Sequence, residues 1–292
     1  MKKLFFAIPL FFALATSTGC AQSPPEANTA QNEQPSIISL SPSITGTLID
    51  LGLTDYLVGV DIHSAGHHPA LESLPLFDLF NLDLEQLLAI DPDFIFLAFF
   101  GPETEGSPFA PVIDLHERIH MIPPSDSLSH IAQQITDIGA ILGVDSSGMV
   151  NDMNQRIDHI LSAVAQLNTP APRVYFEVSA DPTIFTIGEG TFISHLLEVL
   201  GAENIFGDQM GWIPVSEEVV LNRNPQVIFT NVSYLDDPVA TILNRNGWHT
   251  TDAVADGQVF LIDPVASSHS NHTIVIPLEE MARALFLEIN LD

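Results

Sequence analysis

Lysine is almost absent from this chain, and arginine is scarce. The 292 residues contain eight basic residues, including the two lysines Lys2 and Lys3, against 37 acidic ones, so the formal net charge is −29 at pH 7. A surface of this charge repels nucleic acid and anionic lipid. The acidic residues are spread along the whole chain, which distinguishes it from a protein with a disordered acidic tail. Nucleic acid is therefore excluded as a partner.

Cysteine is also nearly absent, since Cys20 is the only one, and a disulfide framework is excluded. The first twenty residues, "MKKLFFAIPLFFALATSTGC", place two lysines before an apolar run over residues 4–15. This run is too short for a membrane-spanning helix and predicts a signal peptide over residues 1–20. Its removal would leave six arginines against 37 acidic residues, a net charge of −31.

Cys20 follows a run of small residues at the end of the signal peptide, and this placement resembles the lipoprotein box of bacterial signal peptides. Ser17 stands where such boxes usually carry leucine, so ordinary cleavage nearby is the alternative. The resemblance implies lipidation of Cys20 and export to the periplasm or the outer face of the membrane. The polar, proline-bearing segment 21–35 is predicted to be a flexible tether.

The remaining chain alternates strand patterns with helix patterns over residues 36–145 and again over 170–292, and residues 146–169 between them predict one long amphipathic helix. Two segments, "NLDLEQLLAIDPDFIFLAF" and "PVSEEVVLNRNPQVIFTNV", form a weak repeat, because each has an acidic helix start, an Asp/Asn-Pro stop and an apolar strand. We predict an α/β fold with two Rossmann-like lobes, each on a parallel sheet, joined by the long helix. Ligands of such lobes lie beyond the carboxyl ends of the strands, which places the binding site in the cleft.

Four stretches resemble the substrate-binding proteins of ABC importers for cobalamin, ferric siderophores or haem. They are "IISLSPSITGTLIDLGL", "NLDLEQLLAIDPDFIF", "IGEGTFISHLLEVLGAENIF" and "PVSEEVVLNRNPQVIFT", in this order along the chain. The segment "DPTIFTIGEGTFISHLLEVLGAENIF" is most similar to the cobalamin-binding branch. The resemblance covers nearly all of residues 36–290 and implies a rigid, class III-type binding protein with little hinge motion.

The resemblance further implies a monomeric extracytoplasmic receptor and no enzyme. It would capture a metal chelate, either a cobalamin-like corrinoid or an iron–siderophore complex, and deliver it to a permease dimer with its ATPase. The ligand would contain cobalt or iron, and no catalytic cofactor is implied. Haem or a nickel– or iron–histidine complex is an alternative ligand. A metal-dependent hydrolase is a weaker alternative, since the sequence contains no H-E-x-x-H or comparably compact signature.

Proteins of this family dock onto permease arginines through one surface glutamate on each lobe. The matching positions are Glu85 in "NLDLEQ" and Glu218 in "VSEEVVL", with Glu217 as a neighbour that could be confused with Glu218. Carboxylates held on rigid helices can form charge-assisted pairs with arginine. Alternatively, both are solvated acids in first helical turns, where the helix dipole favours them.

Histidines occupy the positions where the family has its ligand-contacting loops. "DIHSAGHHP" contains a cluster of three histidines where cobalamin-binding relatives carry tyrosines, and "SSHSNH" contains two where relatives often carry arginines. Phe99 matches a position where a tryptophan commonly packs on the ligand. Of the further aromatic candidates, Trp212 lies just before the helix of Glu218, Tyr234 follows a predicted strand and Trp248 lies in "NGWHT". The expected ligand-binding residues are His63, His67, His68, Phe99, Trp212, Tyr234, Trp248, His269 and His272.

Three interpretations of the histidines remain open. His63 and His68 could complete the coordination of a metal that an organic chelator already holds, the histidines could bind a bare ion, or they could contact the ligand periphery without a metal bond. A bare ion is the least supported, because Asp61 is the one nearby carboxylate and the spacing does not match a closed site. The acidic chain and the shortage of arginine favour a neutral or cationic complex.

Overall fold

The chain divides into two units, Met1–Gln34 and Pro35–Asp292, and all helices and strands that the structure describes lie in the second. The predicted signal peptide, Cys20 and His67 lie outside the described residues. Within the described part of the chain, no helix is both long and apolar enough to cross a membrane. In this computed structural model the described ranges are 34–66, 68–167 and 172–291.

The first lobe is a five-stranded sheet in the order β3-β2-β1-β4-β5, and all its strand pairs are parallel. Its strands are continuous apolar runs because both faces of the sheet are covered. Its strands are β1 (Ile37–Leu40), β2 (Leu57–Asp61), β3 (Leu76–Phe77), β4 (Phe94–Leu97) and β5 (Ile119–Met121). Its helices are α1 (Pro42–Asp50), α2 (Leu84–Ile90) and α3 (Leu128–Leu142).

A long helix, α4 (Ser147–Ala165), follows the first lobe. Helix α3 ends at Gly143, whose φ of 67° lies in the left-handed region that glycine enters without strain. The sequence placed the long helix at residues 146–169. The predicted domain boundaries at 145/146 and 169/170 remain predictions, since residues 168–171 lie outside the described ranges.

The second lobe is a mixed sheet in the order β11-β10-β6-β7-β9, with β8 paired to β6. The strands β6, β8, β10 and β11 pair in parallel, whereas β7 is antiparallel to both β6 and β9. Its strands are β6 (Arg173–Ser179), β7 (Ile184–Ile187), β8 (Glu203–Asn204), β9 (Trp212–Val215), β10 (Val227–Thr230) and β11 (Val259–Leu261). Its helices are α5 (Phe192–Val199), α6 (Glu217–Arg223), α7 (Pro238–Leu243), α8 (Asp252–Ala255) and α9 (Val275–Leu285).

The two-lobed α/β fold is therefore as predicted, and the second sheet departs from a purely parallel one at β7 and β9. The physical reason is the short connection between β6 and β7, which consists of residues 180–183. A parallel neighbour needs a crossover of a dozen or more residues, and a connection this short can only form a hairpin.

One hydrophobic core joins the helix pair to the second lobe. Helix α3 contributes its first half to this core, while Ile138 near its other end packs into the first lobe. Helix α4 contributes residues at helical spacing, which explains its amphipathic pattern. The shared core includes Leu128, Ile131 and Ile135 from α3, Met153, Ile157 and Ile160 from α4, and Phe176, Phe229 and Leu278 from the second lobe.

Candidate ligand-binding site

The main cavity lies in the cleft between the lobes and has a volume of about 650 Å³. The first lobe lines it with residues that directly follow β1, β2, β4 and β5, as expected for parallel strands whose carboxyl ends meet at one edge. The second lobe contributes the start of α5, the start of β9 and the segment after β11. The lining residues are Ser41, Pro42, Ser43, Ile44, His63, Ala98, Phe99, Ile122, Pro123, Pro124, Gln134, Phe192, Trp212, Ser268, His269 and Ser270.

Two smaller cavities adjoin the main one. A side cavity of about 140 Å³ lies in the first lobe and shares Ser41, Pro42, His63, Ala98 and Phe99 with it. A second cavity of about 300 Å³ lies in the second lobe and shares Trp212 and Ser268 with it. The linings of the main cavity and the second-lobe cavity contain no carboxylate, lysine or arginine, and their polar groups include hydroxyls, the amides of Gln134 and Asn231 and the two histidines.

The loop "DIHSAGHHP", residues 61–69, is called the histidine loop, and a buried carboxylate holds its start in place. Asp61 ends β2, and its Oδ1 accepts hydrogen bonds from the backbone N–H groups of His63 at 2.9 Å and Ser64 at 3.2 Å. The hydroxyl of Ser64 donates to Oδ2 of Asp61 and lies 3.1 Å from Oγ1 of Thr45 in α1. This aspartate turn holds the loop against α1 and directs His63, which is exposed, into the cleft.

The other histidine of this loop that the structure describes has a local role. Nδ1 of His68 accepts a hydrogen bond from Ala70 N–H at 3.2 Å and caps a 3₁₀ turn over Pro69–Leu71. His68 lines none of the three cavities. Among the described residues, no group of three or more His, Cys, Asp and Glu side chains could hold a metal ion. The bare-ion interpretation therefore gains nothing from the described part of the chain.

Aromatic side chains face the cleft from both lobes. Phe99 is 55% exposed in the first lobe, and Trp212 is 49% exposed in the second, where it packs on Phe192 at 5.9 Å between ring centroids. Both line the main cavity, and their contact with a ligand remains a prediction. Tyr234 lines the second-lobe cavity, and its hydroxyl accepts a hydrogen bond from Ala180 N–H at 2.8 Å.

The chain turns sharply just after Phe99. Phe100 has a φ of 60°, which is unusual for a bulky residue and costs conformational energy. The hydroxyl of Ser107 donates to the Phe100 carbonyl at 2.7 Å and helps to hold this turn. At this turn the chain leaves the direction of β4, and the Phe99 ring lies at the cavity wall.

Two predicted ligand contacts are wrong. Trp248 is 0% exposed and packs in the core at 6.0 Å from the Tyr175 ring, while its Nε1 donates to Oε2 of Glu217 at 2.8 Å. His272 lies outside the cavities, because its Nε2 is 2.7 Å from Oδ2 of Asp50 at the end of α1. This contact and the hydrogen bond from Asn271 Nδ2 to Ser43 O, at 3.2 Å, link the two lobes.

The cleft thus brings His63 and His269 onto opposite walls, together with Phe99 and Trp212. The sequence interpretation omitted several lining residues, among them Gln134, Phe192 and the start of α1. The segment "SPS" directly after β1 was a usable signal, since ligand sites follow strand ends in α/β lobes. Gln134 and Phe192 lie within or at the start of helices and carry no such signal.

The glutamates predicted to dock occupy equivalent positions. Glu85 is the second residue of α2 and Glu218 the second residue of α6, and both are exposed. Glu217 is half-buried and accepts the hydrogen bond from Trp248, so it is the less available carboxylate of the pair. Docking itself remains a prediction.

The comparison with known proteins agrees with this architecture. A family model described as "Periplasmic binding protein" matches residues 37–266. The chain belongs to this family. This periplasmic binding protein is 25% identical over 261 residues to an uncharacterized ABC transporter substrate-binding lipoprotein, YvrC, of Bacillus subtilis, covering 88% of this chain and 82% of the relative.

Two crystal structures resemble this periplasmic binding protein over most of its length. The vitamin B12 binding protein BtuF of Vibrio cholerae is 26% identical, with a TM-score of 0.69, covering 87% of this chain and 97% of the other. A possible iron-binding, periplasmic solute-binding protein from Staphylococcus epidermidis is 25% identical, with a TM-score of 0.72, covering 87% and 100%. The protein is therefore a substrate-binding component of ABC-transporter type, which binds a small molecule for a permease, and not an enzyme.

Proposed function

We propose that this periplasmic binding protein captures a cobalamin-like corrinoid in the cleft between its lobes and delivers it to an ABC importer. The observation that carries the proposal is the neutral main cavity, with Phe99 and Trp212 on opposite walls. Aromatic faces suit a large ligand with apolar surface, and hydroxyl and amide groups suit the carboxamides at its edge. The likeness to the Vibrio cholerae vitamin B12 binding protein supports the same ligand class.

An iron chelate is the second candidate. The likeness to the possible iron-binding protein of Staphylococcus epidermidis favours it, as do His63 and His269 on opposite walls of the cleft. Neutral imidazole is a good ligand for iron and for cobalt, and it also makes ordinary hydrogen bonds to a ligand edge. The neutral cavity walls and the acidic chain disfavour strongly anionic chelates in either case.

Delivery would use Glu85 and Glu218 as the two contacts with a permease dimer. Both carboxylates are exposed on the first turn of a short helix, one on each lobe. Because both carboxylates are exposed in the free protein, arginines of a partner could pair with them directly. Lipidation of Cys20 and export to the outer face of the membrane would keep the receptor close to that permease.

Calorimetric titration of the mature protein separates these candidates. The ligands would be cyanocobalamin, haemin, a neutral ferric hydroxamate, nickel with histidine, and nickel chloride alone. We expect one cyanocobalamin to bind per protein and nickel chloride alone to give no heat. If the protein binds the ferric hydroxamate and does not bind cyanocobalamin, its ligand is an iron chelate and not a corrinoid. Binding of nickel chloride without any chelate would overturn the proposal.

A further inference from the structure

The side cavity in the first lobe has a mostly apolar wall. It lies where β1, β2, β3 and β4 end, next to the main cavity. Phe80 is 83% exposed at this cavity and packs edge-to-face on Phe100, with ring centroids 5.6 Å apart. Its apolar lining residues are Leu40, Pro42, Ile62, Phe77, Leu79, Phe80, Ala98 and Phe99.

A glycine in β2 accommodates the Phe77 ring at this cavity. Phe77 ends β3 and is almost fully buried, and its ring lies against Gly59 of β2. A Cβ atom at Gly59 would lie 2.6 Å from Cε2 of Phe77, which is closer than packed atoms allow. Glycine at this position therefore lets the Phe77 ring rest on the strand and form part of the wall.

The two carboxylates of the lining are engaged by their own loops. Asp61 accepts hydrogen bonds from two backbone N–H groups and a serine hydroxyl, as described above. Oδ1 of Asp78 accepts from Phe80 N–H at 2.9 Å and caps a 3₁₀ turn. Oδ1 of each carboxylate is therefore engaged by its own loop, and the rest of the lining is mainly hydrocarbon and aromatic.

The volume sets the size of the group that fits. The cavity measures about 140 Å³. An apolar cavity of about 150 Å³ lined by Leu, Ile and Phe holds one benzene molecule. The cavity at the opposite end of the cleft has a polar lining that includes Asn231, Ser233, Tyr234 and Ser267.

We propose that the side cavity is a subsite for an apolar, ring-sized group of the ligand, and that the hydrogen-bonding end of the ligand lies against the second lobe. The proposal rests on the proposed function, because it assumes that the cleft captures a small molecule. It adds that the ligand is amphipathic and binds in one orientation. A chelate with a ring-sized apolar substituent should bind about 10- to 100-fold more tightly than its analogue without that group.

Fluorine NMR with fluorobenzene as the probe tests the subsite directly. Ile62 lines only the side cavity and is partly exposed, so Ile62→Trp should fill the cavity without disturbing the core. Leu79→Trp fills it from another side. Ser233→Trp adds the same side chain to the second-lobe cavity and is the matched control. Circular dichroism of each variant verifies the fold.

We expect fluorobenzene to bind the wild type and Ser233→Trp, and to lose at least tenfold in affinity in both Ile62→Trp and Leu79→Trp. A chelate that saturates the cleft should also displace fluorobenzene from the wild type. Failure of fluorobenzene to bind, equal binding by all variants, or a chelate that binds without displacing it would each overturn the subsite. If fluorobenzene behaves as expected and none of the chelates binds, the proposed function fails while the apolar cavity stands.

Discussion

Residues 83–97 of the first lobe and 216–230 of the second repeat one local structure. Each segment starts with an N-cap, Asp83 or Ser216, whose side chain accepts a hydrogen bond from the N–H three residues later. Each helix ends at a residue in the left-handed region, Asp91 with a φ of 52° or Asn224 with a φ of 44°. Asp and Asn tolerate this conformation, and the proline that follows each of them prevents the helix from continuing.

The repeat extends to the strand that follows. Asp93 lies just before β4, and its Oδ2 accepts from Ser36 N–H at 2.8 Å. Gln226 lies just before β10, and its Oε1 accepts from Arg173 N–H at 3.0 Å. In both lobes this side chain ties the start of one strand to the start of its parallel neighbour, β1 or β6.

The lobes differ at the cleft edge. The first lobe is wholly parallel there, whereas the second adds the antiparallel strands β7 and β9, and β9 begins with the cleft residue Trp212. The repeat thus places Glu85 and Glu218 at equivalent positions, and the unequal sheets give the cleft two unequal walls. The equivalent glutamates lie on α2 and α6, whereas the difference between the cleft walls comes from β7 and β9. Mutations can therefore change either feature without changing the other.

The largest expected effect comes from the core that packs against α6 in the second lobe. Trp248→Ala should lower the free energy of unfolding by roughly 3–5 kcal/mol, because it leaves a cavity and removes the hydrogen bond to Glu217. Trp212→Ala should cost less than about 1 kcal/mol and should weaken cyanocobalamin binding instead. Urea unfolding and calorimetry measure the two quantities. Equal losses of stability would show that the two tryptophans are not divided between core and cleft.

We expect substitutions of Glu85 and Glu218 to reduce transport and to leave ligand binding unchanged. Reversal of both charges, in Glu85→Arg with Glu218→Arg, should reduce uptake by about 100-fold, since like charges would meet at both contacts. Each single reversal should reduce uptake less, and ligand affinity should not change. Uptake of radiolabelled ligand into proteoliposomes measures this, with Glu203→Arg as a control at another exposed glutamate of the second lobe. Normal uptake by the double variant would show that these glutamates do not take part in docking.

The histidines of the two cleft walls should contribute in similar measure if both touch the ligand. We expect His63→Ala and His269→Ala each to weaken cyanocobalamin binding by about tenfold, which corresponds to about 1.4 kcal/mol. His249→Ala, at an exposed site outside the cavities, is the control and should leave affinity unchanged. A loss at His63 alone would place the ligand against the first lobe, and unchanged binding in both would return these histidines to the role of polar loop residues.

The smallest expected effect concerns the hydrogen bond from Ser36 to Asp93, which ties the start of β1 to the start of β4. The hydrogen bonds from Ser36 hold the pKa of Asp93 below its ordinary value, so the folded state favours the carboxylate. The tie contributes stability above roughly pH 4 and loses it as the pH falls through the lowered pKa. Solvent screening keeps this contribution below about 1 kcal/mol, because the site is largely exposed. Asp93→Gln would copy the second lobe and should flatten the stability profile below pH 4, as urea unfolding at several pH values can measure; an unchanged profile would contradict it.

The repeat could be predicted from the sequence because its signals are local. A cap, an Asp/Asn-Pro stop and an apolar run lie within twenty residues and need no distant partner. The antiparallel strands β7 and β9 were not predicted, since "IFTI" and "WIPV" are short and their pairing depends on the hairpin after β6.

The candidate site could be predicted only in part. Trp212 and Trp248 each follow a glycine in a loop, and tertiary packing alone decides that one faces the cleft and the other the core. His269 and His272 are three residues apart, yet the first lines the cavity and the second pairs with Asp50. His63 was predicted from its position after a strand end and Phe99 from the family resemblance; both line the cavity, because backbone topology determines where the loops after β2 and β4 lie.

The core that runs from α3 through α4 into the second lobe has a kinetic consequence. Separating the lobes would expose Leu128, Ile131 and Ile135, so the cleft has its walls in place before the ligand arrives. Capture should then be a single encounter, in which the observed rate rises in proportion to ligand concentration without reaching a plateau. We further expect that the ligand leaves the cleft without a wide separation of the lobes, because that separation would expose the shared core.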